Sequence, residues 1–184
     1  QKKALIAKLN KANYDKVASN ENVEVLDGLA SFKDEHTVQV RNRSEVSEVY
    51  AERIFVNTGA RPFIPSVPGL EVGRRIHTSE TLMDLEEFPK SLAILGSGFI
   101  GLEFAASYAK FGTNVTIIDQ GDRILPREDE DVAKEVLASY QGLGVDFLFG
   151  AAIHQVSQDE KAVHLSYTIN GEKKELSVDA FLVA

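Results

Sequence analysis

The stretch Ser91-Leu92-Ala93-Ile94-Leu95-Gly96-Ser97-Gly98-Phe99-Ile100-Gly101 decides the fold. Leu92 to Leu95 is a short uncharged apolar run, as expected of a strand buried on both faces. It runs directly into Gly96-Ser97-Gly98-Phe99-Ile100-Gly101. A helix is expected from about Phe99 to Phe111, closed by Gly112, because glycine takes the left-handed conformation without a Cβ clash. Val115 to Ile118 then reads as a second buried strand, ending at Asp119.

Each glycine of this G-x-G-x-x-G run has an expected task. Gly96 permits the tight turn out of the strand, Gly98 lets the backbone approach a pyrophosphate, and Gly101 lets the helix pack closely on the strand. Phosphates would sit on unpaired N–H groups at the helix N-terminus, favoured by the helix dipole. Asp119, 23 residues after Gly96, stands where an acid accepts hydrogen bonds from adenosine ribose hydroxyls. The bare motif is equally compatible with an ordinary strand–helix turn. The flanking strands, the helix and the terminal acid favour the dinucleotide reading.

Working outward, the 184 residues carry 43% hydrophobic and 26% charged side chains, the composition of a globular protein with one sizeable core or two small ones. No apolar run approaches the roughly 20 residues of a membrane span. The net charge of −8 argues against nucleic acid or an anionic membrane surface as partner. With no cysteine, disulfides, thiolate metal sites and cysteine nucleophiles are excluded within these residues. The chain starts at Gln1 and stops inside the apolar run Phe181-Leu182-Val183-Ala184, which suggests a piece of a longer protein.

Residues 1 to about 14 have helical spacing at Leu5, Leu9 and Ala12, with Lys2, Lys3, Lys8 and Lys11 on a solvated face. Across 22–57 the period changes to two: Val23 and Val25, Val38 and Val40, then Val46, punctuated by turns, predict a small antiparallel meander. Ile54-Phe55-Val56 is expected to be a compact buried strand. Pro62, Pro65 and Pro68 make 62–70 an extended crossover and the expected domain boundary. Thr78 or Ser79 could cap a short helix through Leu85. Asp129 and Asp131 suit the start of a helix with an apolar stripe at Val132, Val136, Leu137, Tyr140 and Leu143. Val145 to Phe149 reads as a strand, Asn170-Gly171 as a type I′ hairpin turn, and the final Phe181 to Ala184 run as a strand returning to the parallel sheet.

Taken in order, Asn57-Thr58-Gly59-Ala60-Arg61-Pro62, the proline crossover, GSGFIGLEFA, VTIID, ILPREDEDV and VDAFLVA resemble the middle of a class I flavin disulfide reductase. This is the pyridine nucleotide–disulfide oxidoreductase family, which includes mercuric reductase, dihydrolipoamide dehydrogenase, glutathione reductase and the reactive-chlorine-resistance flavoproteins. The resemblance implies an α/β fold: a Rossmann-like NAD(P)-binding domain over 71–184, with a parallel sheet plus an antiparallel hairpin. It would follow the rear part of an FAD-binding domain over 1–70. Thr58 and Gly59 match the motif where the chain passes the flavin nucleotide, although Asn57 replaces the usual alanine. Phe99 matches a side chain over the nicotinamide pocket, or is an apolar residue packing on the sheet. Glu103 matches a glutamate near the flavin–nicotinamide junction, or is a helix-surface acid.

The resemblance thus implies cofactor contacts from Thr58, Gly59, Gly96, Ser97, Gly98, Phe99, Ile100, Gly101, Glu103, Asp119 and Gln120. It places no catalytic residue in this chain, since the redox cysteine pair and the His-Glu pair of the family fall outside the matching stretch. His36, His77, His154 and His164 match no catalytic position, and their spacing gives no metal constellation. The expected activity is hydride transfer from NAD(P)H to FAD and on to a disulfide or related acceptor. NAD(H) is expected over NADP(H), given Asp119 and Gly101, where members preferring NADP often have alanine. The expected context is a cytoplasmic homodimer. A cysteine-free NADH-dependent flavoprotein reductase and a nucleotide-sensing module are the alternatives, separated by whether a CxxxxC pair lies upstream.

Overall fold

The computed structural model describes residues 2–184. The chain's own contacts divide it between Gly59 and Ala60 into two compact units.

The first unit holds α1 (Lys2–Ala18) and a meander of β1 (Leu29–Phe32), β2 (Thr37–Asn42) and β3 (Glu45–Tyr50), in the order β1-β2-β3 and antiparallel throughout. No residue of α1 is buried. Val23 and Val25 lie outside the strands, so the meander starts later than their alternation suggested. Ile54-Phe55-Val56 is a correction. It forms no strand, and Phe55 is 90% exposed. An apolar run becomes a strand only where neighbours accept its backbone hydrogen bonds, and among the described residues none does.

The second unit is built on one parallel sheet. Its elements are β4 (Ile76–Thr78), α2 (Ser79–Leu82), β5 (Ser91–Leu95), α3 (Phe99–Lys110), β6 (Asn114–Ile118), α4 (Glu130–Gly142), β7 (Asp146–Leu148), β8 (Ala152–Gln158), β9 (Val163–Ile169), β10 (Glu172–Val178) and β11 (Ala180–Val183). Five strands run parallel in the order β4-β11-β5-β6-β7. β8, β9 and β10 form a separate antiparallel sheet. The Asn170-Gly171 turn has both residues at positive φ, 53° and 79°, as a type I′ hairpin requires.

Alternation along the central strands explains the layering. Leu92, Ile94, Val115, Ile117 and Leu182 face a core shared with Leu102, Ala105 and Tyr108 of α3 and Ala133 of α4. Ala93, Phe181 and Val183 point the other way, onto Val156, Val163, Leu165 and Tyr167 of the antiparallel sheet. A strand buried on both faces must be apolar at every position, which is why these runs carry no charge. Phe181 and Leu182 are fully buried, each contributing about 1.5–3 kcal/mol of burial free energy.

The short helix expected through Leu85 stops at Leu82; Asp84 and Leu85 continue it only as turns, their amides reaching Thr81 and Leu82. The proline crossover packs with the second unit. Val156 N–H donates to Pro68 O at 2.9 Å, and a Cβ on Gly69 would stand 1.9 Å from Val156 O. The strands β4 and β8 did not stand out in the sequence.

Candidate dinucleotide-binding site

The strand connections leave β5 in opposite directions. β5 leads through α3 to β6 on one side, while β11, the last strand, closes on its other side. Such a reversal opens a crevice at the carboxyl ends of the strands, and the glycine turn lies there. Gly96 has φ +107°, a region open to glycine, and an added Cβ would meet Ala184 O at 3.0 Å. A Cβ on Gly101 would stand 2.2 Å from Gly96 O, so this glycine lets α3 pack onto the turn. Gly98 differs: an added Cβ would meet nothing within 4 Å. The protein does not need glycine at 98 for its own packing.

Gly98 is the N-cap of α3 and offers no side chain to the first N–H groups. A helix leaves its first N–H donors without intrahelical partners. Here they adjoin the open space beside Gly98, an arrangement suited to an anionic group.

The turn is held by an acid. Asp119 Oδ2 accepts from the Ser97 amide at 2.7 Å and from the Ser97 hydroxyl at 2.6 Å, while Oδ1 accepts from the Gly121 amide at 2.7 Å. Ser97 O in turn accepts from Leu125 N–H at 3.2 Å, tying the following loop to the turn. Ser97 is 1% exposed and its polar groups are committed to these partners. This latch was missed in the sequence. Its signal is a hydroxyl between two glycines, opposite a short acid on the paired strand: Leu95 and Ile118 are register partners, and Gly96 N–H donates to Ile118 O at 3.0 Å.

The remaining sequence candidates sort by place. Phe99 and Ile100 are 63% and 47% exposed, so Phe99 does not pack on the sheet as one reading had it. Glu103 is an exposed acid one turn along α3. The Tyr140 hydroxyl pKa is raised by burial and, further, by the Glu103 carboxylate. Gln120 is exposed beside Asp119. The Arg123 guanidinium donates to Pro126 O at 2.8 Å within its own loop. Thr58 and Gly59 are exposed, Gly59 with φ +75°, and belong to the first unit. The residues at the glycine turn fit a dinucleotide: an opening where a Cβ would otherwise stand, N–H donors beside it, and an acid at the end of the adjacent strand.

The comparisons with known proteins agree with one another. The model of the family described as pyridine nucleotide-disulphide oxidoreductase matches residues 2–184. The probable pyridine nucleotide-disulfide oxidoreductase RclA of Escherichia coli (strain K12) is 35% identical over the whole chain, which spans 41% of that protein. A mercuric reductase of Lysinibacillus sphaericus is 30% identical, with 100% of this chain and 33% of the relative covered. A solved structure of the HOCl-induced flavoprotein disulfide reductase RclA from Escherichia coli superposes with a TM-score of 0.88 at 35% identity, over 100% of this chain and 40% of that one. The chain therefore spans well under half the length of these relatives. Over the length it does span, the glycine turn, the parallel sheet and the family match converge, and the chain belongs to the pyridine nucleotide–disulphide oxidoreductase family.

Proposed function

We propose that this chain is the nicotinamide-dinucleotide-binding segment of an FAD-dependent oxidoreductase. The intact enzyme would pass hydride from NAD(P)H to flavin and on to a disulfide or related acceptor. The observation that carries the reading is Gly98, where the turn leaves open space that the protein does not itself fill. When bound, the two cofactors would supply the hydride chemistry; the protein's part is binding and orientation.

On this reading Gly98 and the first N–H groups of α3 would hold the pyrophosphate. Phe99, exposed at the helix start, would cover the nicotinamide side, with Glu103 one turn further along. Asp119 serves twice: it fixes the turn through Ser97 and Gly121, and it gives the ribose end a negative field with lone pairs to spare. That field favours the free 2′-hydroxyl of NAD(H) over the 2′-phosphate of NADP(H). Residues 1–70 are read as the rear part of the FAD domain, with Thr58 and Gly59 at the flavin nucleotide, and 71–184 as the NAD(P) domain. The same reading makes the intact enzyme a cytoplasmic homodimer.

The test is steady-state turnover of the intact protein with NADH and NADPH and a disulfide acceptor. Turnover with the disulfide acceptor, faster with NADH than with NADPH, is expected. No oxidation of either nucleotide would overturn the reading.

A further inference from the structure

The opposite end of the parallel sheet carries a second concavity. Arg75 immediately precedes β4, Lys90 precedes β5 and Asp179 precedes β11, so in parallel strands all three stand at the amino end, away from the glycine turn. They line an open cavity of about 340 Å³ together with Arg74, His77 and Lys161. That volume is at the lower end of small-molecule sites.

Two features are not explained by the fold. The first is charge. Four cations line it in a chain of net charge −8, and among the described residues none of the four makes an ion pair. The Arg75 guanidinium donates to the backbone carbonyls of Asp179, at 2.9 Å, and Glu160, which are neutral acceptors. Of the two carboxylates in the lining, Asp179 already accepts from the amide and hydroxyl of Ser91 at 2.8 and 3.1 Å; Glu87 is the other. The second feature is His77. It is 5% exposed, and neither ring nitrogen has a hydrogen-bond partner; Arg75 Nε is unpartnered as well. Buried polar groups are ordinarily paired, so three unpaired atoms lying behind the cavity wall are unusual.

Phe88 and Pro89 add an apolar wall. We propose that this cavity binds a small phosphate monoester, its dianion held by Arg74, Lys90 and Lys161 and its organic body lying on Phe88 and Pro89. This cavity lies at the opposite end of the sheet from the glycine turn and shares no residue with it.

The experiment is calorimetric titration of the intact protein with phenyl phosphate, inorganic phosphate and phenol, repeated on Arg74→Ala/Lys90→Ala and on Gly98→Val, with circular dichroism of each variant. Phenyl phosphate should bind below about 1 mM, inorganic phosphate about tenfold more weakly, and phenol not detectably. The double variant, whose two residues are exposed, should stay folded and lose at least about tenfold in affinity, while Gly98→Val leaves phenyl phosphate binding unchanged. Absence of binding, or affinity retained in the double variant, overturns the proposal. Affinity lost in Gly98→Val would move the phosphate to the glycine turn and overturn it equally. Inorganic phosphate binding as tightly as phenyl phosphate would overturn the organic body.

Discussion

Asp119 Oδ2 takes two hydrogen bonds from Ser97, one from its amide at 2.7 Å and one from its hydroxyl at 2.6 Å. The carboxylate at the end of β6 is thereby the brace of the glycine turn at the end of β5. Asp119→Asn keeps one oxygen but turns an NH2 group toward a backbone N–H or hydroxyl donor. Charge-assisted hydrogen bonds contribute about 1.5–3 kcal/mol each, so Asp119→Asn should destabilise by about 2 kcal/mol or more. Ser97→Ala, which keeps the amide bond, should cost less. Urea denaturation of both variants checks the order; equal midpoints for wild type and Asp119→Asn would contradict the brace.

Gly98 and Gly101 should respond differently to the same added bulk. A Cβ at 101 collides with Gly96 O, and one at 98 meets nothing. Gly101→Val should therefore lower stability by about 3 kcal/mol or more, as overpacking against backbone does, while Gly98→Val should cost about 1 kcal/mol or less. Thermal melts of the two variants decide this, and a larger loss at 98 than at 101 would refute the assignment of tasks.

Cofactor choice follows from the sign of the field at Asp119. A carboxylate about 5 Å from a 2′-phosphate repels it by roughly 3 kcal/mol per charge at an effective dielectric near 20, before solvent screening. The kcat/KM for NADH should exceed that for NADPH, and Asp119→Ser should narrow the gap. Arg123→Ala should leave the ratio nearly unchanged, because that guanidinium is engaged with Pro126 O. A ratio at or below one in the wild-type enzyme would contradict the preference.

His77 makes stability depend on pH in a defined direction. Burial lowers its pKa below the ordinary 6.5. In the folded chain the ring then binds fewer protons than in the unfolded chain once the pH falls below about 6.5, so that part of the stability is present above 6.5 and lost as pH drops toward the depressed value. The urea midpoint should fall between pH 7.5 and 5.5, and His77→Leu should show a shallower fall. An unchanged slope in the variant would mean that other groups carry the dependence.

The legible parts of the chain are those where one residue type has one use. Gly96 to Gly101, the uncharged run of β5 and the Asn170-Gly171 turn state their conformations locally. The run Phe181 to Val183 is apolar at every position, as a central strand must be, and it pairs with both β4 and β5. Tertiary context decided the rest. Ile54-Phe55-Val56 has a strand's composition but no neighbour to pair with. β8 escaped notice because a register shift between Ile153 and Gln155 breaks its alternation, leaving the buried Ile153 and Val156 three residues apart. At the site, Asp119 is legible as an acid at the end of β6, but its bond to Ser97 depends on the parallel register of β5 and β6, which no local pattern encodes.

The central claim is that the space at Gly98 holds the pyrophosphate of a pyridine dinucleotide. Its most direct measurement is calorimetric titration of NADH into the intact protein and its Gly98→Val variant, with thermal melts to establish that both are folded. The wild-type protein should bind NADH saturably, and a folded Gly98→Val at least about a hundredfold more weakly. Equal NADH affinity in the two proteins would contradict the claim.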